Sequence, residues 1–201
     1  MTGEIDSAVS QLIEQINVEI PDPEHGVRCA QFAATLFDEL YLNLGLDSAD
    51  RKVAIAAAYL HDIGYIRMGR DHHRKSFDVI STMKLPMTEV ERTVTACVAR
   101  YHGTTNPSIE HAGFQDLDFD DLRRVRRLTA INRVAVALDA SHLGLVTHVR
   151  VDRSRPQIGI VGYATEEPAI ERDRLQIAAS AVRTLAGVQI WTDIIVQPEH
   201  A

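Results

Sequence analysis

The stretch AIAAAYLHDIGYI, residues 54–66, contains the pattern that decides the fold. Its apolar positions predict a buried helix that ends in the pair His61-Asp62 and is closed by Gly64. A carboxylate without a partner is costly to bury, so Asp62 requires one. Imidazole and carboxylate are ligands of Zn, Fe, Mn and Co, and we expect the partner to be a metal ion. The alternative is a hydrogen-bonded pair that caps the helix.

Further residues of metal-ligand type lie before and after this stretch. They are His25, His72, His73, His102 and Asp139. Each is at or near the end of a predicted helix, and helix ends from different parts of a bundle can converge on one pocket. On a helix Asp62 points about 100° away from His61, so the two are poorly placed to chelate a single ion. The carboxylate can instead bridge two ions roughly 4 Å apart.

Apolar residues at helical spacing predict a mainly α protein. The predicted helices are 4–19, 25–44, 48–62 with Ser48 as N-cap, one from 72, 88–102 with a capping box at Thr88 and Glu91, and 120–140. Residues 65–71 and 103–119 are predicted to be loops. After Gly144 the spacing of the apolar residues is no longer helical, which predicts strands at 146–151, 158–161 and 188–196 and a helix over 168–186. We therefore expect a helical domain over 1–144 and a small α+β subdomain over 145–201. The latter would dock on the helices or pair with a second subunit through an edge strand, giving a homodimer.

Composition restricts the class of protein. The 201 residues suit one domain with a small appendage. The formal charge of −7 argues against a protein that binds nucleic acid or an anionic membrane with its whole surface. The two cysteines, Cys29 and Cys97, are in apolar helical settings and are expected to be reduced thiols. With no signal peptide and no apolar run of membrane length, a cytoplasmic location is expected.

Basic residues close to the candidate ligands are suited to neutralising phosphate. Those that flank the ligands are Arg70, Arg74, Lys75 and Arg100. Arg133 lies on an otherwise apolar helix face and needs a partner. The remaining histidines, His111, His142, His148 and His200, are expected to be structural or exposed, although His142 lies one turn beyond Asp139 and can support it. The sequence contains no Walker loop, GxGxxG or GxSxG motif.

Longer strings indicate a family. The order H…HD…H…H…D resembles the HD superfamily of metal-dependent phosphohydrolases. More specific strings resemble the C-terminal HD-type domain of the exopolyphosphatase and guanosine pentaphosphatase (Ppx/GppA) family, over about 25–195. They are HGVRCAQFAATLFDEL (25–40), YLHDIGYI (59–66), DHHRKSFDVI (71–80), VARYHG (98–103) and RRVRRLTAINRVAVALDASH (123–142).

The resemblance implies a helical fold and a set of metal ligands. The implied ligands are His25, His61, Asp62, His102 and Asp139. For the remaining ligand, Ser76 favours His72 over His73, because HD proteins commonly place a histidine four residues before a small residue. That family hydrolyses the phosphoanhydride in N-terminal domains of the actin-like ATPase kind, which do not occur in this sequence. The resemblance therefore does not imply exopolyphosphatase activity.

We accordingly predict a hydrolase that acts on a nucleotide or another small phosphorylated molecule. One or two divalent ions (Mn, Fe, Co, Ni or Zn) would activate water, with Asp62 and His102 at the reacting centre and Arg100 completing the phosphate clamp. A non-catalytic module that binds a phosphorylated ligand, or an interaction domain, is the alternative, because this domain is an accessory in the full-length relatives.

Overall fold

The order of helices and strands in the structure follows the order predicted from the sequence. A computed structural model describes residues 6–67, 71–111, 113–115 and 117–197. These residues form a mainly α protein with a small C-terminal α+β part, as predicted. The elements are α1 (Ser7–Ile16), α2 (Pro23–Leu40), α3 (Arg51–Leu60), α4 (His72–Thr82), α5 (Glu89–Arg100), α6 (Phe119–Ala137), β1 (Val146–Asp152), β2 (Ile158–Ala164), α7 (Ala169–Ala186) and β3 (Ile190–Val196).

Polar side chains begin most of the helices. The capping box predicted at Thr88 and Glu91 is confirmed, since each side chain binds the backbone N–H of the other residue. The cap before α3 differs from the prediction. Asp47, and not Ser48, accepts the free N–H groups there, and a short 3₁₀ helix, Ser48–Asp50, precedes α3. A second 3₁₀ helix, Ile63–Arg67, occupies part of the predicted 65–71 loop.

Helix α3 is the centre of the helical body. Every residue from Val53 to Leu60 is buried, and α1, α2, α5 and α6 pack around it. Four of these residues are alanines, whose small side chains let the neighbouring helices approach closely. A helix that is apolar all round must be buried, which explains why residues 53–60 lie at the middle of the fold. The His61-Asp62 pair thereby reaches the inside of the protein.

The C-terminal part packs on this body and shares its core. The strands lie in the order β1-β2-β3, with β1 antiparallel and β3 parallel to β2, and α7 connects the parallel pair. Helix α7 packs on α6, and β1 packs on α2. Leu175, Val182 and Ile160 belong to the same apolar core as the residues of α3. The division into 1–144 and 145–201 stays a prediction, as does dimerisation through an edge strand. None of the described helices combines the length and apolarity that crossing a membrane requires.

Candidate metal centre

The ends of five helices meet at one place inside the protein. His25 is in the first turn of α2, His61-Asp62 follows α3, and His72-His73 begins α4. His102 follows α5, and Asp139 lies just beyond α6. We call the first six of these the histidine cluster: His25, His61, Asp62, His72, His73 and His102. Groups of these side chains place ligand atoms within 4.8 Å of one another, the spacing that a metal ion requires.

Small residues bring α4 against the turn that carries Asp62. A Cβ atom on Gly64 would lie 2.3 Å from the carbonyl oxygen of His72, so no larger residue fits there. The hydroxyl of Ser76 donates to the carbonyl oxygen of His61 at 2.7 Å and accepts from the N–H of Gly64 at 3.0 Å. These contacts fix the start of α4 beside the end of α3. The local sequence thus positions His72 and His73 next to Asp62.

Hydrogen bonds to main-chain carbonyls orient two of the histidines. The Nδ1 atom of His61 lies 2.7 Å from the carbonyl oxygen of Ala58, and that of His102 lies 2.7 Å from the carbonyl oxygen of Ala99. A carbonyl oxygen only accepts, so each Nδ1 carries the proton and each Nε2 has a free lone pair. Both Nε2 atoms point into the cluster, where they are 3.5 Å and 3.4 Å from the carboxylate oxygens of Asp62.

His25 is oriented in the same way by Asp139. Its Nδ1 atom lies 2.7 Å from Oδ2 of Asp139, which also accepts from Nε of Arg28 at 2.8 Å. The other oxygen of Asp139 accepts from the N–H of Gly144 at 2.8 Å. The buried carboxylate therefore has donors on both oxygens and lies behind His25, on the side away from His61. This arrangement leaves Nε2 of His25 facing the cluster.

The rings of His25 and His61 face each other across a short gap. Nε2 of His25 lies 3.2 Å from Nε2 of His61, and both side chains are almost fully buried. Two lone pairs at this distance repel unless a cation lies between them. Metal–nitrogen bonds of about 2.1 Å place two ligands of one ion roughly 3.0–3.4 Å apart. The gap therefore fits a metal ion, although a single shared proton would also relieve the repulsion.

The carboxylate of Asp62 favours the metal ion over a proton. Its Oδ1 atom is buried and has no hydrogen-bond partner among the described residues, an expensive state for a carboxylate oxygen. Nε2 of His102 and Nε2 of His72 lie 3.4 Å and 3.6 Å from this oxygen. Its Oδ2 atom instead faces His61. The carboxylate thus lies between a His25–His61 side and a His72–His102 side.

The structure brings both His72 and His73 to the cluster. His72 stacks on Tyr65 at 3.9 Å, and His73 lies 4.4 Å from His102, ring centre to ring centre. The Nδ1 atom of each is buried and accepts or donates no hydrogen bond within the part of the chain that the structure describes. His72 approaches Asp62, whereas His73 forms a group with His72 and His102. The preference for His72 as the ligand stays a prediction.

Burial keeps the imidazoles of His61, His73 and His102 neutral. It lowers the pKa of His61 to about 4 and that of His102 well below its usual value, because a charged ring would lose its hydration. Burial also lowers the pKa of His73. Neutral imidazole is the form that binds metal, so at neutral pH a metal ion need not displace protons from these three rings.

An open cleft of about 570 Å³ leads from the cluster between α6 and α7. Arg133 lines it but is held by the loop after α5. The guanidinium group donates to the carbonyl oxygens of Tyr101, at 2.8 Å, and Thr105, and to Oδ1 of Asn106 at 3.1 Å. Burial lowers its pKa to about 10. Arg133 therefore holds in place the loop that carries His102, which answers its expected need for a partner.

The other predicted phosphate-binding residues lie elsewhere. Arg74 and Arg100 line a neighbouring pocket of about 180 Å³, beyond His73 and Gly103. The guanidinium carbon of Arg100 is 5.5 Å from the ring centre of Tyr101. The described lining of neither pocket includes Lys75, and Arg70 lies outside the described residues. The roles proposed for these four residues stay predictions.

Two further side chains approach the cluster. His142 has a left-handed backbone conformation (φ 64°) and stacks on His25 with 3.6 Å between ring centres. Its Nδ1 atom lies 3.0 Å from the carboxylate of Asp22, the residue that caps α2. From its position one turn beyond Asp139, His142 was predicted to support that residue, but its ring stacks on His25 instead. The thiol of Cys29 lies 3.7 Å from the ring of His25, one helical turn away, and burial raises its pKa well above the usual value. The i, i+4 spacing of His25 and Cys29 was the sequence signal from which this contact could have been predicted.

A known family covers most of the chain. The family described as Ppx/GppA phosphatase, domain III, matches residues 6–156, which include every residue of the histidine cluster as well as Asp139. The match ends in the turn between β1 and β2, so α7 and β3 lie beyond it. No curated protein matches the sequence. Because the matched segment is well over half of the sequence, the chain belongs to the Ppx/GppA phosphatase domain III family.

Proposed function

We propose that this protein is a metal-dependent hydrolase of a small phosphorylated compound, of the HD type. The observation that carries the proposal is the 3.2 Å approach of Nε2 of His25 to Nε2 of His61, beside the Oδ1 atom of Asp62, which no described residue hydrogen-bonds. A metal ion between these atoms would stabilise the arrangement. Membership of a phosphatase-related family supports a phosphorylated ligand.

The donor set fits one or two transition-metal ions. The candidate ligands His25, His61, Asp62, His72 and His102 offer nitrogen and oxygen, which favours Mn, Fe, Co, Ni or Zn over Ca. The two oxygens of Asp62 face different histidines, as a carboxylate that bridges two ions would. Asp139 has donors on both oxygens, so we propose that it acts by orienting His25 and holding the proton at Nδ1.

The protein residues prepare the site for phosphoryl chemistry. Bound divalent ions supply the charge that makes a water molecule acidic and offsets the charge on phosphoryl oxygens. The main-chain carbonyls of Ala58 and Ala99 hold His61 and His102 in one tautomer, so these ligands need no rearrangement. Arg133 holds the loop behind His102. The cleft admits a small ligand from one side, while the buried rings exclude water from the other.

A binding module without turnover is the second candidate. The observation in its favour is the position of Arg100, the predicted phosphate clamp, which lines the neighbouring pocket and not the cleft of the histidine cluster. A domain that only recognises a phosphorylated ligand needs no clamp on a transition state. The two candidates share the metal ion and differ in turnover.

Metal analysis followed by a substrate screen separates them. We expect at least one equivalent of transition metal in the purified protein. With Mn, Co or Mg added, we expect hydrolysis of nucleotides or phosphoesters and little action on long-chain polyphosphate, because the chain is acidic and offers few basic residues near the cluster. Less than about a tenth of an equivalent of metal after supplementation would refute the proposal. Metal-dependent binding of a phosphorylated ligand without turnover would establish the second candidate.

A further inference from the structure

Helix α7 presents two different faces. One face is buried and contains Leu175, Ala178, Val182 and Leu185. The other lines the cleft with residues at helical spacing: Arg174, Ile177, Ala181 and Thr184. Ile177 remains 50% exposed, so its side chain is accessible from the cleft. The cleft face of α7 thus combines a cation with apolar and hydroxyl groups.

Two contacts fix the register of α7 against α6. At the start of α7, Oε1 of Glu171 accepts from the N–H of Ser141 at 2.8 Å. Near the end, the carbonyl oxygen of Thr184 accepts from Nη2 of Arg126 at 3.1 Å. The two helices are therefore antiparallel, and Arg174, one turn after Glu171, lies at the end of the cleft next to the C-terminal end of α6, on the side of His25 and His142. Thr184 lies at the opposite end.

The charges in the cleft indicate how many phosphates it can hold. Two arginines line it in the described part of the chain, Arg133 and Arg174. Arg133 is occupied by the loop after α5. Arg174 makes neither a hydrogen bond nor an ion pair with any described residue. One available guanidinium group beside the metal centre suits one phosphate group, since each further phosphate would bring negative charge that no cleft arginine offsets.

The rest of the cleft is suited to an uncharged group. Small and apolar side chains form much of the remaining lining: Val136, Ala137 and Ala140 near the Arg174 end, and Ile177, Ala178 and Ala181 along α7. The hydroxyl groups of Ser180 and Thr184 and the side chain of Asn106 add hydrogen-bonding capacity. A volume of about 570 Å³ lies within the range of sites for drug-sized ligands.

We infer that α7 is the substrate-recognition wall of this site and that the ligand is a phosphate monoester of the nucleoside monophosphate class. Arg174 binds the single phosphate beside the histidine cluster. Ile177, Ala181 and Thr184 contact the sugar and base. This inference rests on the proposed function in placing the phosphate at the metal centre, and it assigns a role to a helix that lies beyond the family match.

The test measures binding separately from turnover. The metal-loaded protein is titrated calorimetrically with adenosine 5′-monophosphate, adenosine 5′-triphosphate and inorganic phosphate, and metal content is measured for each variant. Arg174→Ala should weaken binding of the monophosphate about 10- to 100-fold, as the loss of a charge-assisted hydrogen bond predicts. Ile177→Ser should weaken binding of the monophosphate severalfold and leave binding of inorganic phosphate unchanged. Arg183→Ala, on the same helix and outside the cleft lining, is the matched control and should change neither.

The outcomes separate the inference from the proposed function. Arg174-dependent binding of the monophosphate, with or without turnover, supports the inference, and lack of turnover would count against the hydrolase alone. Hydrolysis of a small phosphoester that is unaffected by Arg174→Ala and Ile177→Ser would overturn the inference and leave the hydrolase standing. Failure of the metal-loaded protein to bind the monophosphate would also overturn it. If the triphosphate bound more tightly than the monophosphate and this binding depended on Arg74, the inference would also be overturned, because the neighbouring pocket would then be the phosphate-binding site.

Discussion

Replacing Asp62 by asparagine should stabilise the metal-free protein while removing its response to metal. In the structure Oδ1 of Asp62 is buried and no described residue donates to it, so the substitution breaks no hydrogen bond of this oxygen within the described part of the chain. The asparagine amide can also donate to the lone pair on Nε2 of His102 or His72. An unsatisfied buried group costs about 1–3 kcal/mol. Because the Asp62 side chain is 17% exposed, we take the lower part of that range, about 1–2 kcal/mol.

The size of both effects can be measured by thermal unfolding. For a chain of this length about 1–2 kcal/mol corresponds to a rise of roughly 2–8 °C in the Tm of the metal-free protein. In the unsubstituted protein, metal at 100 times its Kd should add about 2.7 kcal/mol, and the Asp62→Asn variant should lose most of this gain. Asp78→Asn, an exposed carboxylate on α4, is the matched control and should change neither quantity. A variant that is less stable without metal, and whose Tm still rises fully with metal, would refute the assignment of Asp62 as a ligand.

Three further changes test other contacts of the site. Asp139→Asn should weaken metal binding about 10- to 100-fold, because His25 loses the charged partner that fixes its tautomer, and unchanged affinity in a calorimetric titration would contradict this role. Since burial lowers the pKa of His61 to about 4, the folded metal-free protein binds fewer protons than the unfolded chain between pH 6.5 and 4; its stability should be complete above pH 6.5 and fall by on the order of 3 kcal/mol as the pH drops to 4, measured by urea unfolding. A His61→Gln variant should show a shallower decline, and an equal one would assign the effect to other groups. Truncation after Gly144 should expose the face of α6 that α7 covers and increase binding of a hydrophobic dye, whereas a soluble fragment with an unchanged Tm would show that the helical part folds independently.

The helices could be predicted well because their signals are local. Helical spacing of apolar residues and the Thr88–Glu91 capping box depend only on neighbours in the chain. The helix boundaries that differed from the prediction depend on which of several neighbouring residues caps or ends the helix. Asp47 replaced Ser48 as the cap because its carboxylate forms a capping box with Asp50. Helix α2 ends at Leu40, four residues earlier than predicted, because residues 41–45 form a turn that finishes at Gly45 with φ 61°.

The candidate site could be predicted only in part. The sequence indicated residue types that can bind metal and their positions near helix ends, which are local properties. It did not indicate that Arg100 and Arg74 line a separate pocket, or that Arg133 is held by a loop. It also did not indicate the α7 wall, because no periodicity relates residue 174 to residue 61. Such contacts depend on how helices distant in sequence pack together.

Apolar periodicity was enough to predict a mainly α chain in which several helices end in histidine and carboxylate, and the cost of an unpaired charge in a core was enough to predict that the buried His61-Asp62 pair needs a partner. The nitrogen of each ring that faces the cluster could not be predicted in this way, because it depends on a carbonyl or carboxylate that packing brings to the other nitrogen. Packing also places Asp139 behind His25 and makes α7 one wall of the cleft. A helix end can be located from a few neighbouring residues, whereas the distance between two helix ends depends on every side chain packed between them.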